Sequence, residues 1–390
     1  MTSLTNAARW GLTAMRPRDP HEPHRAASPL ELFFDLVFVV AVSLASQNLH
    51  HAESESHVGA GVLAYLMVFF AIWWAWMNFT WFATAFDTDD WLYRVLTVLQ
   101  MGGVLILAAG IHSAMVDGDY TIVTWGYVVM RLVMVTQWMR AAKNNPELRT
   151  TAVKYAVGIS AVQVLWLLRL LLPPETGVVT FLILVVAEVS VPVWAERARP
   201  VPWHPHHIAE RFGLFTIIVL GESILASANA IIDASSSAEH LTPLVLLAVC
   251  GLLLAAGMWW VYFSTENHSH FTNLASSLRF GYIHGFIFAA AGAFSAGIEV
   301  AIDLDTHSTE LSSVAAASTL TVPVAVFVLA VWGLTLRRSL PRWANIAVPV
   351  FASLLGLSAF APASIPVATV LMIGIVAVVE SQRRGSQLTA

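Results

Sequence analysis

Apolar stretches of about 20 residues, the length that crosses a hydrocarbon core as a helix, recur along nearly the whole chain. They predict twelve helices, over 30–49, 58–82, 90–114, 120–141, 152–172, 177–197, 208–232, 241–263, 274–299, 312–336, 343–361 and 363–382. Pro362 and Pro366 punctuate the last two, which can also be read as one broken element. The pattern is that of an all-α polytopic membrane protein. Its basic residues set an orientation. With the amino terminus inside, the arginines and lysines from Arg9 to Arg384 outside the predicted spans fall on inner segments, and the outer loops hold acids such as Glu53, Asp117 and Asp303. By the positive-inside rule both termini are then cytoplasmic.

The second half of the chain echoes the first. Glu31-x-Phe33 returns as Glu210-x-Phe212, Trp73-Trp74 as Trp259-Trp260, Arg94 as Arg279, and Glu196 as Glu380, each about 180 residues on. Six spans separate the copies, so the repeats are expected to be parallel. The expected organisation is an arm at 1–28, a first six-helix half at 29–197, a linker at 198–206, a second half at 207–382 and a tail at 383–390. The Pro- and Arg-rich arm reads as a disordered cytoplasmic tail, with a short interfacial helix through Leu4, Ala8, Trp10 and Leu12 as the other reading. No cleavable signal peptide is expected, because the first apolar run follows a long polar arm and carries Asp35.

Composition agrees with the spans: 57% of the 390 residues are hydrophobic and 12% are charged. A net charge of −5 gives no reason to expect nucleic acid as a partner. The single Cys250 rules out an intramolecular disulfide and a cysteine-rich metal site. The chain has no P-loop, no GxSxG and no HExxH. No cofactor is implied, and the expected partners are the bilayer and a small solute or ion.

Ionisable residues inside a span are costly and face protein or water. At about 1.5 Å of rise per residue, Arg131, Glu188, Glu222, Gln100, Gln163 and His284 fall in the central third of their helices. They read either as an ion, proton or substrate site or as buried pairs that fix packing, for instance Glu188 or Glu222 with Arg131. Asp35 is a further candidate for protonation. Glu31 with Arg94, and Glu210 with Arg279, read as symmetric clamps at the inner ends of the spans. Arg211 accompanies Glu210 and shares a helical face with Glu222.

Two histidine-rich loops, with His204, His206 and His207 in one and Glu266, His268 and His270 in the other, are weak candidates for a metal. Accidental clustering is the simpler reading. The run Trp73, Trp74, Trp76, Phe79, Trp81 and Phe82 reads as an interfacial belt and core packing. Asp87, Asp89 and Asp90 read as a solvated turn capping the next helix.

Three stretches resemble a known family. Pro29-Leu30-Glu31-Leu32-Phe33-Phe34-Asp35-Leu36-Val37-Phe38-Val39 is similar to the opening signature of the bacterial low temperature requirement A (LtrA) proteins. His207-x-x-Glu210-Arg211-Phe212-Gly213, continuing through Gly221-Glu222-Ser223, resembles their second signature. Tyr282-x-His284 followed by Gly297-x-Glu299 resembles a third, looser one. The resemblance implies a multi-pass protein of the bacterial cytoplasmic membrane and carries no settled activity. It singles out Glu31, Asp35, His207, Glu210, Arg211, Glu222, Arg279 and His284, whereas Arg131, Glu188, His204 and His206 stand on physical argument alone.

Twelve spans, parallel halves and charged groups at mid-depth fit a secondary carrier. The loop reading FDTDDWLYR carries acids where major-facilitator carriers have arginines, which argues against that fold. A non-transporting scaffold, lipid-binding module or sensor is the alternative. A membrane-embedded metal enzyme is the third reading, and it needs the histidine loops to converge.

Overall fold

The computed structural model describes residues 11–19, 26–86, 88–234, 241–265 and 274–387. Among them every regular element is helical. In chain order the helices longer than five residues are α1 (Pro29–Ser54), α2 (Val58–Phe86), α3 (Trp91–Ala109), α4 (Thr121–Asn144), α5 (Arg149–Arg169), α6 (Gly177–Glu196), α7 (Pro205–Ala234), α8 (Leu241–Tyr262), α9 (Leu274–Asp305), α10 (Ser313–Val331), α11 (Ala344–Leu357) and α12 (Ser364–Gln387). Among the described residues, ten helices are long and apolar enough to cross a membrane. The two expected spans outside that set are α7, whose side chains are described only in part, and α11, which with its 3₁₀ extension ends at Phe360 and is shorter.

Local chemistry sets the boundaries. Ser28 and Glu31 form a capping box at the start of α1: the Glu31 N–H donates to Ser28 Oγ at 3.3 Å and the Ser28 N–H to Glu31 Oε2 at 2.8 Å. Asp90 caps α3 by accepting from the Tyr93 N–H, and Ser312 caps α10 by accepting from the Ala315 N–H. Pro192, Pro323 and Pro349 sit inside α6, α10 and α11, as neighbouring helices in a membrane bundle permit.

The chain forms two compact units. One comprises Met1–Ala41 with Phe70–Arg211, and the other Val42–Phe69 with Phe212–Ala390. The helices α1, α2 and α7 each contribute to both. Segment 42–69 therefore groups with the carboxy-terminal part of the chain, not with the rest of the sequence half 29–197.

Within the first unit, α3 and α4 approach closely. A Cβ at Gly126 would meet the Leu107 N and the Gly103 carbonyl oxygen. Within the second, a Cβ at Gly297 on α9 would meet the backbone of Thr319 and Leu320 on α10. Such small-residue contacts are how membrane helices gain packing without a hydrophobic drive.

The arm departs from the expected disordered tail where it is described. Met15 is fully buried and its carbonyl accepts from Asn145 Nδ2 at 2.8 Å. The Arg18 N–H donates to the Ala85 carbonyl at 3.0 Å. The Thr13 N–H and hydroxyl donate to Asp90 Oδ2, which also pairs with Arg140. A capping aspartate with an unused oxygen thus captures the passing chain. Leu4, Ala8 and Trp10 lie outside the described residues, as does Asp87.

Helix packing and the Asp90 cap are both open to test. Gly126→Val and Gly297→Val are each expected to lose about 1–3 kcal/mol through overpacking, whereas Gly102→Ala, where a Cβ meets nothing within 4 Å, loses far less. Thermal unfolding of purified protein in detergent checks the contrast. Burial disfavours the Asp90 charge, but the Arg140 guanidinium and the Tyr93 and Thr13 N–H groups outweigh it and hold the carboxyl below the usual aspartate range. Its stabilisation is complete above the unfolded value of about 3.9 and drains away as pH falls through the lower folded value. Wild type is therefore expected to lose stability more steeply than Asp90→Asn below roughly pH 4. Equal acid slopes would refute this.

Candidate functional site

Residues four apart share a helical face. Glu31 and Asp35 on α1, and His207 and Arg211 on α7, are two such pairs, and the first unit brings all four together at 0–2% exposure. On α1 the opposite face carries Phe33, Leu36 and Val40, each about half exposed, as a lipid-facing stripe would be. Arg211 grips both acids. Its Nε and Nη2 donate to Asp35 Oδ2 and Oδ1 at 3.1 and 2.6 Å, and its Nη1 donates to Glu31 Oε1 at 2.8 Å. Trp76 on α2 adds an indole N–H to Asp35 Oδ1 at 2.6 Å.

His207 completes the cluster. Its Nε2 lies 3.1 Å from Glu31 Oε1, so that nitrogen carries a hydrogen when Glu31 is ionised. Its Nδ1 lies 2.8 Å from Thr84 Oγ1, and a hydroxyl either donates or accepts. The ring is thus accommodated as neutral imidazole or as imidazolium. Two carboxylates against one guanidinium leave one negative charge, which a proton on His207 would cancel. His204 serves the helix start instead: its Nδ1 accepts from the His207 N–H at 3.2 Å and caps α7.

A second buried pair lies in the same unit. Glu188 Oε2 accepts from Arg131 Nη2 at 2.6 Å and from Trp74 Nε1 at 2.8 Å, while Oε1 accepts from Trp166 Nε1 at 3.1 Å. Arg131 Nη2 also donates to the Tyr127 hydroxyl at 2.5 Å. The Nε and Nη1 of Arg131 are buried without a hydrogen-bond partner, as are both amide atoms of Gln163 and the Nε2 of Gln100. Trp138 stacks on Tyr155 with centroids 4.0 Å apart, which pins α4 to α5. Counting back along the antiparallel pair puts Gln163 level with Arg131. The Gly103–Met130 contact places Gln100 at the same level on α3. The result is a layer rich in unused donors. A third carboxylate, Glu196, accepts from Trp81, Tyr155 and the Val201 N–H and has no ion-pair partner among the described residues.

In the second unit, His284 is fully buried. Its Nδ1 lies 2.7 Å from the Phe280 carbonyl, which only accepts, so Nδ1 carries the hydrogen. Its Nε2 lies 2.8 Å from the Tyr262 hydroxyl, which donates to a neutral ring and accepts from a charged one. Phe212, Phe280 and Phe288 pack around the ring. His284 is thus enclosed by aromatic rings with both ring nitrogens engaged. Glu222 is half-buried and forms no ion pair among the described residues.

The expected clamp of Glu31 with Arg94 does not form. Arg94 is solvent-exposed and holds Asp89 at 2.6 and 2.7 Å, a partner one turn away that requires no burial of its charge. Glu31 takes Arg211 instead. Glu210 is half-buried with Oε2 unpartnered, and Arg279 is exposed. Glu266, His268 and His270 lie outside the described residues, and His206 is exposed. Among the described residues no group of three or more His, Cys, Asp or Glu side chains fits a metal ion. The tryptophans of α2, read from sequence as belt and core, are also hydrogen-bond donors to Asp35, Glu188 and Glu196. Their signal was a run of indoles on the same chain as isolated intramembrane acids.

The family model for the bacterial low temperature requirement A protein matches residues 26–380, from the cap of α1 into α12. The chain belongs to this family. Both buried clusters of the first unit lie inside the matched range. An uncharacterized protein of Rhizobium meliloti, RA0937, is similar to this LtrA-family chain, at 28% identity over 246 residues. The match covers 61% of this chain and 58% of that relative's length.

Removing one partner from a buried ion pair leaves an uncompensated charge and costs about 3–5 kcal/mol. Arg211→Gln is expected to lose that much stability, and Glu31→Gln with Asp35→Asn on the same background is expected to restore part of it. Denaturation of the detergent-solubilised variants decides. A destabilisation that the added neutral residues leave untouched would mean that Arg211 acts through packing alone.

Proposed function

We propose that this LtrA-family chain is a proton-coupled secondary carrier of a small solute in the bacterial cytoplasmic membrane. In this reading it has twelve spans in two parallel six-helix repeats, 29–197 and 207–382, with both termini cytoplasmic. The observation that supports it most is the Glu31–Asp35–His207–Arg211 cluster. Two acids, a guanidinium and an imidazole are buried together, with one more negative than positive charge when the imidazole is neutral. Intramembrane ionisable groups of this kind mark proton relays and substrate paths.

A proton taken from water onto His207 neutralises the cluster. A proton on Glu31 instead weakens its hold on Arg211 Nη1, so the α1–α7 contact depends on loading. That is the minimum a coupling site needs: two protonation states with different helix–helix contacts. Unused donors around Arg131, level with Gln100 and Gln163, suit the acceptor groups of a solute.

A second reading keeps the chain as a non-transporting scaffold or sensor. The Glu188 carboxylate, held by three donors, and the buried His284, with both ring nitrogens engaged, favour it, because such groups suit packing.

The test is a pH jump applied to protein reconstituted in liposomes on a supported membrane, with charge displacement recorded. Wild type is expected to give a displacement that falls at least tenfold in Glu31→Gln and in His207→Gln, with folding of both verified by gel filtration and circular dichroism. No displacement in wild type, or an undiminished one in both variants, would discard the proton-coupled reading and favour the scaffold.

A further inference from the structure

A cluster of titratable groups in the second unit is unused by this reading. His50, near the end of α1, lies between two acids of α9. Its Nδ1 is 2.9 Å from Glu299 Oε2 and its Nε2 is 2.7 Å from Asp303 Oδ2. Ser54 Oγ donates to the same Asp303 oxygen at 2.6 Å, and the Ser54 carbonyl accepts from Thr309 Oγ1 at 2.6 Å. Neighbouring Glu53 is 3% exposed, and its Oε2 is buried without a hydrogen-bond partner.

Counting hydrogens constrains this arrangement. Each nitrogen–oxygen contact needs one hydrogen, because an imidazole lone pair facing a carboxylate lone pair repels it. Ionised carboxylates supply none. The ring must therefore carry both hydrogens, or one acid must carry a proton. Glu53, buried with an oxygen that no donor satisfies, is a further place for one. The other titratable groups turned toward the cluster are His51, whose ring centroid is 5.1 Å from that of His50, and Tyr65 on α2, beside Glu53. Tyr65 is committed elsewhere, since its hydroxyl donates to the Ala289 carbonyl at 2.8 Å.

Access separates this cluster from the one around Arg211. The side chains of His50 and Glu299 are 15% exposed and that of Asp303 is 24% exposed. Those of His207 and Arg211 are 0% exposed. His50 and Asp303 lie in the last turns of α1 and α9, beside the connecting loops, which is where water meets a membrane bundle.

We propose that His50, Glu53, Glu299 and Asp303 form a second, solvent-reachable proton-binding site, with His50 held as imidazolium at neutral pH, through which the chain exchanges protons with water. The role in exchange rests on the carrier reading, whereas the site itself does not. Loading takes one proton from water onto the ring, and unloading returns it to water or to the Glu53 carboxylate.

The test uses full-length protein with ¹⁵N-labelled histidine in liposomes at neutral pH. The His50 signals are those absent from His50→Gln. Two protonated ring nitrogens are expected, and one bare nitrogen would overturn the site. If His50→Gln fails to fold, the Glu299→Gln, Asp303→Asn double variant keeps the ring and is expected to convert one nitrogen to the bare form. Unchanged ring signals there would also overturn it. In the pH-jump recording, His50→Gln is expected to lose at least fivefold in displacement and exposed His57, changed to Gln, to lose none. A doubly protonated ring with an undiminished displacement in His50→Gln would overturn the exchange role. A silent wild type with a doubly protonated ring would overturn the carrier reading and leave the proton site standing.

Discussion

A fully buried guanidinium, that of Arg211, governs the first unit. Moving an ion out of water costs several kcal/mol even after the protein relaxes. Attraction between unit charges about 4 Å apart returns about 4 kcal/mol at an effective dielectric near 20. Arg211 against a single carboxylate would therefore close to break-even. Here it has two, Glu31 and Asp35, and each is stabilised further by neutral donors: the Ser28 N–H, the Trp76 indole and the His207 ring. The cap of α1, the packing of α2 and the start of α7 all take part in making one buried cation tolerable. That dependence explains why the acids on α1 face inward and the phenylalanine and leucine beside them face out.

Much of this was legible in the chain. The cap at Asp90, the span positions and the isolated acids could be read directly, because helix starts and apolar runs are local; the Ser28–Glu31 capping box could not be told from the other roles open to Glu31. Depth leaves Glu188 and Glu222 both open as partners of Arg131, since all three fall at mid-depth, and Glu188 is the one that pairs. Which acid meets which base was harder. Glu31 and Arg94 match in depth, yet Glu31 and Arg211, 180 positions apart in the chain, are the ones that meet. Depth along a helix follows from counting, but rotation about its axis and choice of neighbour follow from packing. Arg94 also had a cheaper option in Asp89, one turn away and in water. His284 shows the same limit: counting gives its depth, and only the fold shows that its ring nitrogens meet the Phe280 carbonyl and the Tyr262 hydroxyl. His50 and Glu299 were visible as residues, but nothing local says that α9 passes beside the end of α1.

The three carboxylates that face α2 form a series. Asp35 has a guanidinium and one indole, Glu188 has a guanidinium and two indoles, and Glu196 has an indole, a phenol and a backbone N–H with no cation among the described residues. Neutral donors satisfy lone pairs without adding charge, so they stabilise a carboxylate and do not fix its ionisation as firmly as an arginine does. An indole has a further property that a lysine or water lacks: it donates one hydrogen from a rigid, apolar plate that itself fills the core. A helix built from such plates can present donors at several depths and remain apolar elsewhere. Trp74, Trp76 and Trp81 therefore allow α2 to meet three acids through indole N–H groups alone. The aromatic run that reads as belt and packing is both packing and the neutral half of a charge-handling scaffold.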